Sequence, residues 1–343
     1  MRCLTLAHAL HSAGARVDFV CREHDGHMCS LIESAGFAVQ RLSNDSGTKP
    51  ALNEPHASWL GTTWEKDANQ SMVAMKRISP HIDWLIVDHY ALDKRWETFA
   101  RSNAAAVMVI DDLADRAHNC DILLDHNFYP ELQSRYDSLT AMNCVRLLGP
   151  EFALLRPEFV AARERSRRDG HVKRILVSFG NSDLPRATLT TLRAIAHACD
   201  ATIRVDIVIG AMYEFMTELE SLCSRYPQWT IHGPNNRMAQ LMIESDLAFG
   251  GGGVTTWERC CVGLPCLIMA LAFNQIAIAE AAQTAGIAVY LGEAASVDSE
   301  ATAARLGELM NDPALVMGMS MRAARLVDGR GAERACSALL GQT

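Results

Sequence analysis

The sequence predicts an α/β protein built of two doubly wound Rossmann-like domains, the first of which lacks its central first strand. Three observations predict this. Val- and Ile-rich apolar runs alternate with longer amphipathic stretches along the whole chain, the pattern of βα units and parallel sheets. The alternation restarts at RILVSFG, residues 174–180, after the basic run RERSRRDGHVKR, residues 163–174. The length of 343 residues fits two domains, each able to bury a core. The expected division is 1–162 and 163–343, with the basic run as a solvated helix end and linker. Two such domains would face each other across a cleft, with ligands at the carboxyl ends of the strands.

In the first domain the pattern predicts a helix over 2–13 ended by Gly14, then strands over 16–21, 38–42, 83–88, 106–110 and 121–124. Helices near 26–35, 62–78 and 93–102 connect them, and the polar, Pro-containing stretch 43–59 reads as a loop. In the second domain strands follow near 203–209, 229–232, 246–249, 265–269 and 287–290. Helices lie between them, with two more near 298–310 and 331–340.

A doubly wound sheet ordinarily begins with the strand that becomes its centre, whereas this sequence opens in a helix. Without that strand, backbone groups of strands 16–21 and 83–88 lose their partners, at about 1–3 kcal/mol for each buried group. Against a domain stability of about 5–15 kcal/mol that is a large loss. The expectation is therefore a reading frame extending upstream of Met1. The chain as it stands is expected to turn over poorly and to aggregate through open strand edges.

Composition narrows the function classes. Hydrophobic residues make up 49% and charged residues 21%, as in a globular chain. The net charge of −8 argues against a nucleic-acid partner. No apolar run reaches the length of about 18 residues that a membrane span needs, and no secretion signal is visible, so a soluble, cytoplasmic protein without a membrane partner is expected. The 11 cysteines include no C-x-x-C pair, which suggests neither a disulfide framework nor a structural zinc. Most read as buried small hydrophobes, and of the adjacent Cys260 and Cys261 at most one faces the sheet.

The segment AFGGGGVTTWERCCVGLPCL, residues 248–267, carries the chemistry. Strand, four glycines and helix together make a phosphate cradle: Gly250 to Gly253 lack Cβ atoms, so main-chain N–H groups can press against a diphosphate at a helix N-terminus. Glu258, about one and a half turns beyond the last glycine, can accept from ribose hydroxyls. A nucleotide is the implied ligand. The alternative is a tight turn that binds nothing. A G-x-G-x-x-G dinucleotide site fits less well, since that motif opens the first βα unit of a domain.

Beyond this segment, MRCLTLAHAL, HASWLGTTWEKDA, VDHYALDKRWE, IDDLADRAHNCDILLDHN, LLGPEFALLRPEF, ILVSFGNSD and AFNQ follow in order from residue 1 to about 275. With the glycine segment, this set resembles the UDP-sugar hydrolases of pseudaminic acid biosynthesis, which release UDP from UDP-2,4-diacetamido-2,4,6-trideoxy-β-L-altrose. These belong to the two-domain glycosyltransferase-B group. The resemblance implies UDP in the second domain, with Gly252, Gly253 and Thr255 near the diphosphate and Glu258 at the ribose. Ser178, Phe179, Gly180 and Asp183 would line the phosphate side, and Asn274 and Gln275 would reach the sugar or diphosphate. Tyr90 matches the tyrosine that faces the sugar, and with Asn274 it is the candidate catalytic pair. Each has an ordinary alternative: Asn274 as a helix cap, Tyr90 packed on Trp96, Asp183 as a turn residue. The sequence departs from the family pattern at Asn181 and at Leu184-Pro185. It also lacks the G-x-G-H motif before MRCLTLA, whose histidine is the family's proposed general base.

The implied reaction is inverting hydrolysis at the anomeric carbon, with no metal and no cofactor. The glycine turn stabilises the departing diphosphate. A base deprotonates the attacking water, typically contributing about 10² to 10⁴ in rate. Among the 12 histidines, His89 is best placed, but alternation along a strand points it away from Tyr90. His8 and His11 share a helix face without a third ligand, and Asp111, Asp112 and Asp115 suit loop and cap duty better than a metal. A UDP-sugar glycosyltransferase and a non-catalytic UDP-sugar binding protein are the rival readings. A monomer is expected.

Overall fold

The computed structural model describes residues 1–44, 56–180, 183, 186–234 and 237–341. Two compact units divide it: residues 1–127, 131–154 and 332–343 form the first, and 128–130 and 155–331 the second.

The first unit runs α1 (Arg2–Ser12), β1 (Asp18–Arg22), α2 (Cys29–Ser34), β2 (Ala38–Leu42), α3 (Ala57–Leu60), α4 (Trp64–Ile78), β3 (Ile82–Val87), α5 (Lys94–Ala100), β4 (Ala104–Ile110), β5 (Ile122–Asp125) and β6 (Val145–Leu148). Thr63 caps α4 by accepting from the Lys66 amide, and Asp93 caps α5 by accepting from that of Arg95. All strand pairs are parallel, yet they form two separate sheets, β1-β2 and β3-β4-β5-β6. The facing edges of β1 and β3 have no strand partner among the described residues. Helices nonetheless span both sheets. Leu4 and Ala7 of α1 pack with Phe19 and Val39, while Leu6 and Leu10 pack with Trp84 and Ile86. On the other side Met72 and Met75 of α4 share a core with Val20 and Val87. The gap anticipated between these strands is therefore present as an interruption of hydrogen bonding beneath continuous helical cover. It leaves β3 half-buried while every position of β5 is buried.

The second unit follows as α6 (Pro157–Arg165), β7 (Arg174–Ser178), α7 (Ala187–Ala198), β8 (Arg204–Val208), α8 (Met216–Cys223), β9 (Trp229–His232), α9 (Met238–Glu244), β10 (Leu247–Gly251), α10 (Thr255–Cys261), β11 (Cys266–Ala270), α11 (Ile276–Thr284), β12 (Ala288–Glu293), α12 (Ser299–Met310) and α13 (Pro313–Leu326). Its parallel sheet has the order β12-β11-β10-β7-β8-β9, with the chain reversing direction of growth between β7 and β10. Ligands of open α/β sheets bind at such a switch point, beyond the carboxyl ends of the strands.

Three differences from the sequence expectation have physical causes. The final helix, α14 (Gly331–Leu339), returns to the first unit rather than closing the second, because Ala332, Ala335, Cys336 and Leu339 pack with Leu6, Met108 and Leu124. The basic run is solvated only in part: Glu164, Arg165, Arg167, Asp169, His171 and Lys173 are exposed, while Arg163 and Arg168 turn inward and strap the run to the second unit. Arg163 donates to the carbonyls of Cys261 and Val327, and Arg168 to those of Ser245, Val262 and Met242. Burial pushes the Arg168 guanidinium down to about 10, and a Cβ on Gly170 would clash with the Pro313 carbonyl. Finally, β6 and α6 lie in segments whose apolar runs are too short to show a period.

Candidate active site

In the second unit Ser178 ends β7, the glycine quartet ends β10, and residues 271–275 follow β11, so the carboxyl ends of three adjacent strands converge. The quartet does not act as one cradle. Gly250 and Gly251 belong to β10, in register with Ile268 and Met269 of β11, and Gly250 also with Ser178 of β7. A Cβ on Gly250 would come within 2.5 Å of Arg259 Nη1 and 2.8 Å of the Ser178 carbonyl. That glycine is there for close approach inside the sheet. Buried Arg259, which the sequence reading did not single out, donates to the Gly251 carbonyl at 2.7 Å and so ties α10 to the strand end.

The turn itself is Gly252 and Gly253. The side-chain oxygen of Gln275 accepts from the amides of Gly252 and Leu271, and nothing approaches a Cβ position on Gly253 closer than 3.8 Å. Gln275 thus sits against the turn, while Asn274 lies in a short 3-10 helix (Phe273–Gln275) ahead of α11. Thr255 opens α10, and one turn later Glu258 is held with its side chain 13% exposed. Burial raises the Glu258 carboxyl above its usual range, opposed by Arg156 at 3.6 Å. Gly180 has φ +91°, a left-handed turn at the end of β7 that only glycine adopts freely.

Two candidates are engaged in the fold. Asp183 accepts from the amides of Ala187 and Thr188 at 2.8 and 2.7 Å, holding the start of α7, and Phe179 is buried in the core. Residues Asn181, Leu184 and Pro185 lie outside the described residues.

The first unit carries its own polar cluster at the carboxyl ends of β3, β4 and β5. Arg2 pairs with Asp88 at 2.7 Å and with Asp112 at 2.9 Å. Tyr90 stands beside them, its ring against His56 and Trp59 rather than Trp96, whose indole instead donates to Asp67. Burial, and then the charge of Asp112, raise the Tyr90 phenol. Because β3 ends at Val87, strand alternation does not govern His89 and Tyr90; His89 Nδ1 accepts from the Ala91 amide. Asp111 is held by Arg116 at 2.8 Å and receives hydrogen bonds from Tyr136 and the Ala114 amide. Asp115 pairs with Arg116 and with His56. His126, just past β5, is fully buried with neither ring nitrogen hydrogen-bonded, and burial pushes it down to about 4. Arg2, Arg116, His126 and Tyr136 carry no periodic or spacing signal and were not legible as a group.

No family model matches the chain. It is 29% identical over 192 residues to the spore coat polysaccharide biosynthesis protein SpsG of Bacillus subtilis, covering 56% of this chain and 57% of that protein. It is 24% identical over 162 residues to the UDP-2,4-diacetamido-2,4,6-trideoxy-beta-L-altropyranose hydrolase of Campylobacter jejuni, covering 47% and 57%. The chain thus spans a little over half the length of these curated relatives. The crystal structure of MurG from Acinetobacter baumannii superposes with a TM-score of 0.67 at 14% identity, covering 99% of this chain and 95% of that one. The fold is that of the GT-B glycosyltransferases. No described helix is long and apolar enough to cross a membrane.

Proposed function

We propose that the second unit binds a UDP-linked sugar and that the protein hydrolyses the bond between the anomeric carbon and the diphosphate. The observation that carries the binding half is local. A bare glycine turn, a carboxylate one helical turn farther on and a glutamine braced against the turn meet at the switch point of one parallel sheet. Main-chain amides of Gly253 and the residues that follow it can face developing negative charge without reorganising, which favours departure of the diphosphate. Seven-residue α10 adds little dipole, so the amides themselves are the main term. Glu258, once ionised, accepts from ribose hydroxyls.

Hydrolysis, rather than transfer to another acceptor, is supported by the resemblance of motifs from residue 1 to about 275 and by the name of the Campylobacter jejuni relative. The roles of Tyr90 and Asn274 at the sugar rest on that resemblance. UDP-sugar binding is tested by calorimetry with UDP and 2′-deoxy-UDP. Glu258→Gln should weaken UDP by about tenfold, or about 1.4 kcal/mol, and leave the deoxy ligand nearly unchanged. Equal losses for both would remove Glu258 from the ribose. Released UDP and free sugar, without acceptor, distinguish hydrolysis from transfer. Tyr90→Phe should then lower kcat with UDP affinity retained.

A further inference from the structure

The first unit holds two thiols whose placement serves neither packing alone nor the nucleotide reading. Cys120 and Cys144 lie 24 residues apart in sequence, both buried and both free, with their sulfurs 3.6 Å apart. Strand register puts them there. Ile122 of β5 pairs with Val145 of β6, and the Val145 amide donates to the Asp121 carbonyl at 2.9 Å, so the residues just before the two strands are neighbours. This register sets Asp121 opposite Cys144 and leaves Cys120 one residue back on the diagonal, from which the two sulfurs still approach to 3.6 Å. Rotation about the two Cα–Cβ bonds can close the remaining gap while the ladder stays in place.

We propose that Cys120 and Cys144 are a redox modification site, forming a reversible disulfide that clasps the segment between β5 and β6. That segment contains His126 and Tyr136, and the Tyr136 hydroxyl oxygen lies 3.0 Å from both an Asp125 carboxylate oxygen and the Asp111 carbonyl oxygen. Oxidation would therefore tie off the loop that supports the polar cluster of the first unit. Cys144 is the attacking group. The hydrogen bond between the two sulfurs and Arg146, two residues on, hold the Cys144 thiol below the ordinary value, whereas the same hydrogen bond and burial raise Cys120. With hydrogen peroxide as oxidant, the Cys144 thiolate attacks one oxygen, the O–O bond breaks, and hydroxide leaves to give a sulfenic acid. Cys120 then gives up its proton and attacks that sulfur, and the second oxygen departs as water. In sum two thiols and one peroxide yield one disulfide and two waters.

The reduced protein is exposed to hydrogen peroxide, quenched, denatured with alkylating reagent and mapped without reduction. The expected product is a peptide joining Cys120 to Cys144, with a loss of two hydrogens that dithiothreitol reverses. Closing this loop restricts the unfolded chain, so the oxidised protein should melt several degrees higher, with no such difference in Cys120→Ser or Cys144→Ser. In Cys120→Ser a dimedone adduct should instead accumulate on Cys144. Should a serine variant fail to fold, the wild-type map decides alone. Oxidation that joins Cys21 to Cys29 or another pair, with Cys120 and Cys144 both alkylated, overturns the proposal.

Discussion

The side-chain oxygen of Gln275 lies 3.0 Å from the amide nitrogen of Gly252 and accepts a hydrogen bond from it. The same oxygen accepts from the Leu271 amide at 3.1 Å, so one carboxamide fixes both the glycine turn after β10 and the segment after β11. Gln275→Ala leaves the buried Gly252 amide without an acceptor and should cost about 1–3 kcal/mol of stability, as well as weakening UDP. Gln275→Glu keeps an acceptor for both amides but brings negative charge to the turn. It should melt near the wild-type temperature and bind UDP more than about tenfold more weakly. Thermal melts and calorimetry on both variants check this; tight UDP binding by Gln275→Glu would count against a diphosphate there.

Adjacent glycines should respond to alanine in opposite ways. Gly250→Ala forces a Cβ against Arg259 and the Ser178 carbonyl and should destabilise by about 1–3 kcal/mol through overpacking. Gly253→Ala meets nothing nearer than 3.8 Å, so its melting temperature should hold while UDP affinity falls. Differential scanning calorimetry with a UDP titration separates the two. Equal melting losses would show that both glycines are structural.

His118 makes stability depend on pH. Burial opposes its charge, but Asp111 and Glu97 flank the ring, the latter at 2.7 Å, and push it up to about 9. A folded value above the unfolded value of about 6.5 means that the contribution is complete below pH 6.5 or so and is lost as pH rises through about 9. The size is of order 3 kcal/mol at its fullest. Melting curves across that window should show the loss in the wild type and a flatter profile in His118→Gln. An identical slope in the variant would assign the pH dependence elsewhere.

The edge of β3 that faces β1 has no partner strand among the described residues. Its amides should therefore exchange hydrogen faster than those of β4, whose Val107 and Val109 are buried between two neighbours. Exchange followed by mass spectrometry over 82–87 and 104–110 measures this, and equal protection would contradict an open edge. Such an edge also favours self-association, which light scattering at rising concentration would detect.

Much of the layout was legible because apolar period is a local property. RILVSFG gave β7, DWLIVD gave β3 within a residue at each end, and the helix over 2–13 appears as α1. The glycine quartet located the site, but two of its members answer to Arg259 and Ser178 rather than to a ligand, a distinction that depends on side chains arriving from α10 and β7. Asp183 was visible as a polar residue after a strand; that it holds α7 follows only from where that helix begins. The basic run 163–174 read as solvated because charge usually is. Two of its arginines, Arg163 and Arg168, instead satisfy carbonyls at the ends of α9, α10 and α13, partners scattered over the later chain.

The sequence by itself determined the α/β alternation, the two-domain organisation, the interrupted first sheet and the glycine-glutamate segment, since each is encoded by residues near one another in the chain. Tertiary structure alone decided that α14 returns to the first unit, that Arg2 joins Asp88 to Asp112, that Gln275 braces Gly252 and that Cys120 meets Cys144. Each of these joins residues distant in sequence, and their proximity is set by sheet order and strand register, which no local pattern specifies.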